Sequence, residues 1–312
     1  LNEWLHAAAR EPVAAHVLPA AEQMLDYGHP DAALRFLDHY TNEDDQTAAH
    51  LALRGRARVQ RGDSEAGLNL FRQLVAAEAV QLEHHTPLLV RQLRAALTAD
   101  ELRTLLKTAT TSGSPAESRL PLIAALAGKG AFSSCMAYLE ILREEITENA
   151  DLEKTALSHL ASLCSRAGQN WAAAQYYREL AVAEPEHTVH VNNLAYFLAA
   201  YMGQPERALQ LASEILPNTH QGTQERSALL DTIGLARLKL GDMKEAEIAF
   251  RDSLKQHPDP LTKAHLALLY HRENARKKAK KIFAKAIDMA REQESPGRLK
   301  DVYDLREETG YG

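Results

Sequence analysis

Aromatic residues make up only 6% of the 312, and glycine and proline are sparse at 15 and 12. An all-β fold needs frequent turn residues and alternating apolar runs. Neither is present, so that class is excluded. Two cysteines, Cys135 and Cys164, are too few for a disulfide scaffold. Both fall in or near core positions of a helical pattern, where a free thiol behaves as a small hydrophobe, so they are expected buried and reduced. There is no long apolar run, and membrane insertion is not expected. No signal peptide is visible either, but a mature chain would not show one. The compartment stays open between the cytoplasm, which is preferred, and a bacterial periplasm or cell envelope.

The motifs of common chemistries are missing as well. There is no P-loop, no GxGxxG after a strand, no GxSxG, no HExxH and no CxxC. No catalytic activity and no cofactor are expected. The 14 histidines include His187 and His190, three apart, and the adjacent His84 and His85. No third or fourth ligand is spaced to complete a site, so no metal is expected.

What the chain does have is helical periodicity. In 227–258, SALLDTIGLARLKLGDMKEAEIAFRDSLKQHP, residues Leu230, Ile233, Gly234 and Leu238 recur on one face. Gly241-Asp242 breaks the pattern, because a glycine past a helix can take the left-handed conformation that ends it. A second helix follows with Ala246, Ile248, Ala249, Phe250 and Leu254 assigned to its inner face, and Pro258 stops it. Gly234 and Ala246 are small where two helices must approach, and Phe250 fills the space beside them.

Leu230, Ile233, Gly234, Ala246, Phe250 and Pro258 also match a W-x2-L-G-x2-Y, A-x3-F, P pattern, with Leu230 in place of the tryptophan and Arg237 in place of the tyrosine. The stretch therefore resembles the tetratricopeptide repeat family, and its period of about 34 recurs along the chain. The expected units are 14–47, 48–81, 82–115, 116–153, 154–187, 188–226, 227–259 and 260–294, within a single array over 1–312. The third is degenerate, holding Leu88, Leu89 and Leu105 and a capping box at Thr98–Glu101. It ends in TATTSGSPAE, read as an inter-repeat loop rather than a looser joint. The eighth turns at Glu273-Asn274, where Asn can also go left-handed. Residues 295–312 are a charged helix suited to closing the array. Residues 1–13 stand as the second helix of a cut repeat, with Trp4, Ala7 and Pro12 in the slots of Phe250, Ser253 and Pro258. With no initial Met, the chain is expected to be part of a longer protein.

The resemblance implies an all-α, right-handed superhelical solenoid of about eight repeats whose first helices line a concave groove. Side chains on those helices not used in packing are the candidate groove: Glu22 and Asp26, Arg56 and Gln60, Val90 and Arg94, Ser158, Ser162 and Arg166, Asn192, Asn193 and Tyr196, and Asp231, Leu235 and Lys239. Asn192 and Asn193 can pair with the backbone of an extended peptide beside the flat ring of Tyr196. Equally, Asn193 can bond a neighbouring helix while Tyr196 packs.

The function this implies is a non-catalytic scaffold or adaptor of bacterial type that holds a peptide or protein segment. The alternative is a docking or regulatory arm of a larger enzyme or of an envelope assembly or export complex. No Lys stands with an Asn in adjacent units as a chaperone-tail clamp requires, and no asparagine ladder is present. An RNA-binding array needs a basic groove, whereas this chain is net −6 with pI near 6.2, so nucleic acid is not expected.

Charge is uneven. Residues 263–312 hold 12 Lys and Arg against 8 Asp and Glu, a local +4 that leaves −10 elsewhere. Ala279, Ile282, Phe283 and Ala286 are expected inward, leaving Arg276, Lys277, Lys280, Lys281 and Lys285 toward water. That face is read as solvated, with an anionic partner or self-association through the acidic part of another copy as the other reading.

Overall fold

The computed structural model describes residues 14–40, 47–76, 86–112, 114, 116–146, 149–294 and 296–311. The truncated repeat expected at 1–13 and the pair His84 and His85 lie outside them. Among the described residues there are seventeen α-helices, one short 3₁₀ turn and no strand. No described helix is long and apolar enough to cross a membrane. Contacts divide the chain into two compact units, 1–159 and 160–312.

The first unit holds α1 (Ala14–Asp26), α2 (Pro30–Tyr40), α3 (Ala48–Gln60), α4 (Ser64–Ala76), α5 (Thr86–Ala96), α6 (Ala99–Thr111), α7 (Ala116–Gly128) and α8 (Phe132–Glu145). Helix α9 (Ala150–Arg166) has residues in both units. The second unit continues with α10 (Asn170–Ala183), α11 (Thr188–Ala200), α12 (Pro205–Ile215), α13 (Gln224–Leu240), α14 (Met243–Gln256), α15 (Pro260–Arg272), α16 (Arg276–Glu292) and α17 (Pro296–Glu308). In the first unit α1 packs on α3, α3 on α5 and α5 on α7, and in the second α11 packs on α13 and α13 on α15; the pairs α1–α2, α3–α4, α7–α8, α11–α12, α13–α14 and α15–α16 form packed hairpins. Helix α17 packs on α15 and α16, where a closing helix is expected.

The turns follow their chemistry. Gly241 sits at φ 87°, and its amide together with that of Asp242 closes α13 onto Arg237 and Leu238 carbonyls. Asn274 takes the same role without glycine at φ 61°. The Thr98–Glu101 capping box forms as expected and starts α6. The Ser/Thr-rich run is partly helix: α6 continues through Thr111, with the Thr108, Thr110 and Thr111 hydroxyls on carbonyls four residues back. Only 112–115 connects it to α7.

Close approach explains the glycine and alanine slots. A Cβ on Gly234 would lie 2.6 Å from the Phe250 ring, and one on Gly55 would lie 3.0 Å from the Phe71 ring. Both phenylalanines are fully buried, as are Ala246, Ala279, Phe283, Cys135 and, at 1% exposure, Cys164. The two cysteines are free thiols. Two expected positions differ. Ile248 is 52% exposed, because a residue two on from Ala246 turns off the inner face. Leu235, assigned to the groove, is buried with Leu229, because α13 is packed by α11, α12, α14 and α15 and is covered around most of its circumference. On α16, Arg276, Lys277, Lys280, Lys281 and Lys285 are all exposed.

Candidate functional site

In the first unit the first-helix side chains satisfy one another. Arg56 on α3 is buried, and its guanidinium donates to Asp26 Oδ1 on α1 at 2.8 Å and to Gln92 Oε1 on α5 at 3.0 Å. Gln92 donates in turn to Glu22 on α1, and Arg91 engages both oxygens of Glu22, one at 2.6 Å. Two carboxylates meet two guanidinium groups, so the cluster is neutral and closed. Gln60 is exposed and donates to the Leu25 carbonyl at 3.3 Å. Val90 is half-buried, and Arg94, exposed at its tip, lies across Gly128 of α7. Arg56 therefore works inside the fold rather than as an open groove residue. The spacing of residues on one helix could not show this, because its partners lie 30 and 36 residues away.

The second unit is arranged otherwise. A cavity of about 280 Å³ opens among α11, α13, the α14–α15 connection, α15 and α17. Its wall carries Asn192, Asn193 and Tyr196 from α11, Gln224, Asp231 and Thr232 from α13, Asp259 and Thr262 ahead of and within α15, and Arg298 and Asp301 from α17. Asn192 is buried and accepts from the Thr232 hydroxyl at 2.9 Å. Asp231 is 7% exposed and holds Nδ1 of the buried His265 between its oxygens at 2.9 and 3.1 Å. Residues 231 and 265 are 34 apart, one repeat length, so this pair joins equivalent helices of successive hairpins. Ser227 and Ser253 exchange hydrogen bonds with each other's carbonyls at 3.0 and 2.8 Å, sealing the floor between α13 and α14.

The predicted residues divide accordingly. Asn192, Asn193, Tyr196 and Asp231 converge on the cavity, whereas Lys239, Ser162 and Arg166 are exposed and do not line it. Ser158 is half-buried. Burial raises the Tyr177 phenol on α10, and the Asn193 side chain partly offsets that rise. Tyr196 is half-buried, with the Phe197 ring edge-on at 5.8 Å and the His265 ring at 6.5 Å. Burial drives its phenol well above its usual range, reinforced by Tyr201 and Asp231. Sequence reasoning missed Asp259, Arg298, Asp301 and His265. The closing helix was read as a polar cap, and nothing in a 34-residue period signals that its side chains enter the cavity.

Two of the lining carboxylates share one guanidinium, and the third, Asp231, is held by His265. Arg298 lies 3.4 Å from Asp259 and 3.9 Å from Asp301. Burial raises the Asp301 carboxyl, and Arg298 and Lys300 only partly oppose that. The cavity is acidic and polar, with an aromatic wall. It suits a cationic group, which donates to the carboxylates and to amide oxygens.

His187 and His190 have a third neighbour in the turn before α11. Glu184, three residues before His187, joins them, and one donor atom from each of the three lies within 4.8 Å of the others. The count of histidines and cysteines alone left that carboxylate out.

Residues 262–293, covering most of α15 and α16, match the family model of the tetratricopeptide repeat. No curated protein matches the sequence. Among solved structures, a Rap protein complexed with Competence and Sporulation Factor is similar over 95% of this chain and 87% of that one, at 14% identity and TM-score 0.50. TTC0263, a thermophilic TPR protein of Thermus thermophilus, is similar over 63% of this chain and 97% of its own, at 22% identity and TM-score 0.45. BtubC of P. vanneervenii covers 74% of this chain and 92% of its own, at 17% identity and TM-score 0.48.

Proposed function

We propose that the chain, whose residues 262–293 match the tetratricopeptide-repeat model, is a non-catalytic scaffold of that repeat family whose second unit holds an extended peptide segment bearing a basic side chain. Repeats of this family typically mediate protein–protein interaction, and the fold is shared with a Rap protein solved in complex with a factor. The observation that carries the reading is the charge imbalance in the cavity lining: Asp259 and Asp301 share Arg298, and the third carboxylate, Asp231, has only the His265 imidazole. A lysine or arginine entering there gains charge-assisted hydrogen bonds in a partly desolvated site. Asn193 and Gln224 offer amide donors and acceptors to the peptide backbone, and Tyr196 offers a ring face. Catalysis finds no support in the same geometry. The one buried Asp–His pair, Asp231 and His265, has no nucleophile hydrogen-bonded to the imidazole among the described contacts.

The test is fluorescence anisotropy with randomised nonapeptides carrying a fixed central Lys, Arg, Glu or Ala. The Lys and Arg pools should bind at least tenfold tighter than the Glu pool, with the preference lost in Asp301→Asn. Equal binding of all four pools, or preference for Glu, would refute the basic-peptide reading.

A further inference from the structure

Between α10 and α11 the chain reads Glu184-Pro185-Glu186-His187-Thr188-Val189-His190, with successive potential ligands three residues apart. We propose that Glu184, His187 and His190 form a binding site for a zinc-class divalent transition-metal ion. This site is separate from the peptide cavity and does not depend on that reading.

The backbone presets the three positions. Glu184 ends α10, its amide bonded to the Leu180 carbonyl at 2.8 Å. The His187 amide returns to the Glu184 carbonyl at 3.0 Å, closing the turn over Pro185. His187 then occupies the N-cap of α11 without capping it through its side chain. That position normally favours Ser, Thr, Asp or Asn, whose oxygen bonds a free amide of the first turn. Here the imidazole instead stacks on His190, with ring centroids 3.8 Å apart and planes 15° from parallel. His190 Nδ1 lies 3.3 Å from Glu184 Oε2. Asn218 Nδ2 donates to Glu186 Oε2 at 2.7 Å and ties the turn to the next connection.

Two imidazoles and a carboxylate are a donor set for zinc, and three protein ligands leave a fourth position for water. Bond lengths near 2.0–2.2 Å place donors of a tetrahedral site about 3.4 Å apart. The present spread, up to 4.8 Å, closes by about 1.4 Å to reach that geometry. His187 is exposed, so its ring can rotate inward without disturbing the core. Charge is balanced across the site. The N-terminus of α11 disfavours a cation, while the C-terminus of α10 and the Glu184 carboxylate favour one. A bound ion would fasten the end of α10 to the start of α11, the helix that carries Asn192, Asn193 and Tyr196 further along.

Chelator-treated protein titrated with Co²⁺, then competed with Zn²⁺, tests the site. The proposal expects one equivalent bound with the intense visible absorption of a four-coordinate centre, displaced by Zn²⁺. His187→Ala and Glu184→Gln should each weaken binding at least tenfold, and Zn²⁺ should raise the Tm of the parent chain but not of His187→Ala. His187 is exposed, so this variant folds; His190→Gln is read only where its helical signal matches the parent. His39→Ala and His220→Ala serve as controls and should change nothing. No binding, a weak six-coordinate spectrum, or binding that survives His187→Ala and Glu184→Gln would overturn the assignment.

Discussion

The two units use the inner faces of their first helices in opposite ways. In the first, Glu22, Asp26, Arg56, Arg91 and Gln92 neutralise one another across α1, α3 and α5. In the second, Asp231, Asp259 and Asp301 surround a cavity with Arg298 as their only guanidinium. One repeat architecture can therefore carry either a self-satisfied polar seam or an unbalanced pocket. Which of the two it carries depends on side chains a whole repeat apart.

The largest effects separate fold from site. Phe250→Ala and Phe71→Ala each remove a fully buried ring from the equivalent slot and should destabilise their units by about 3–5 kcal/mol in urea melts. Gly→Ala at the facing position sharpens the comparison. The added Cβ meets Phe250 at 2.6 Å but Phe71 at only 3.0 Å, so Gly234→Ala should cost about 1–3 kcal/mol and Gly55→Ala measurably less. Equal costs would mean that the two hairpins have the same interior clearance.

Next come the polar seams. Arg56→Ala leaves Gln92 and Asp26 without their shared donor and should cost about 1–3 kcal/mol, discounted toward the lower end because Asp26 is largely exposed. Lys239→Ala, on an exposed side chain, should stay within about 0.5 kcal/mol. Equal losses in thermal melts would show that the first-unit seam contributes nothing particular.

Titration should move the units in opposite directions. Arg119 holds the Glu145 carboxyl below its usual range through a hydrogen bond. Its contribution is present above the unfolded pKa and is lost as pH falls through the folded one. The Asp301 carboxyl is raised by burial. Its folded form resists ionisation, so stability is greatest below the unfolded pKa and falls as pH rises through the folded one. Asp301→Asn should flatten that fall in melts across the acidic range, while Arg119→Met should remove the opposite slope. A parent chain with the same pH profile as Asp301→Asn would contradict the half-buried, underpaired carboxylate. The smallest effect is Asn274→Gly, which relieves a left-handed side-chain residue and should gain less than about 1 kcal/mol.

Much of the fold was legible because it rests on local signals. Gly241, Asn274 and the Thr98–Glu101 box end or begin helices through bonds spanning a few residues, and Phe250 needs only the small residues that face it. The candidate site was only partly legible. Asn192, Asn193, Tyr196 and Asp231 announce themselves as polar or aromatic residues on first helices. The partners that decide their roles do not: His265 is 34 residues from Asp231, Thr232 is 40 from Asn192, and Asp301 arrives on a helix with no repeat signature. Arg56 shows the same limit in reverse, since it looks like an open basic point until Asp26 and Gln92 are placed around it. Glu184 was passed over because a carboxylate in a charged loop carries no signal until the turn brings it to His187 and His190.

Hydrogen exchange, with and without a saturating Lys- or Arg-centred nonapeptide from the anisotropy series, tests the central claim most directly. The account predicts slowed exchange in α11, α13, the start of α15 and α17, which line the cavity, with the outer helices α12 and α14 and the closed seam of α1, α3 and α5 unchanged. Protection confined to the outer helices, or centred on Arg56 and its neighbours, would contradict it.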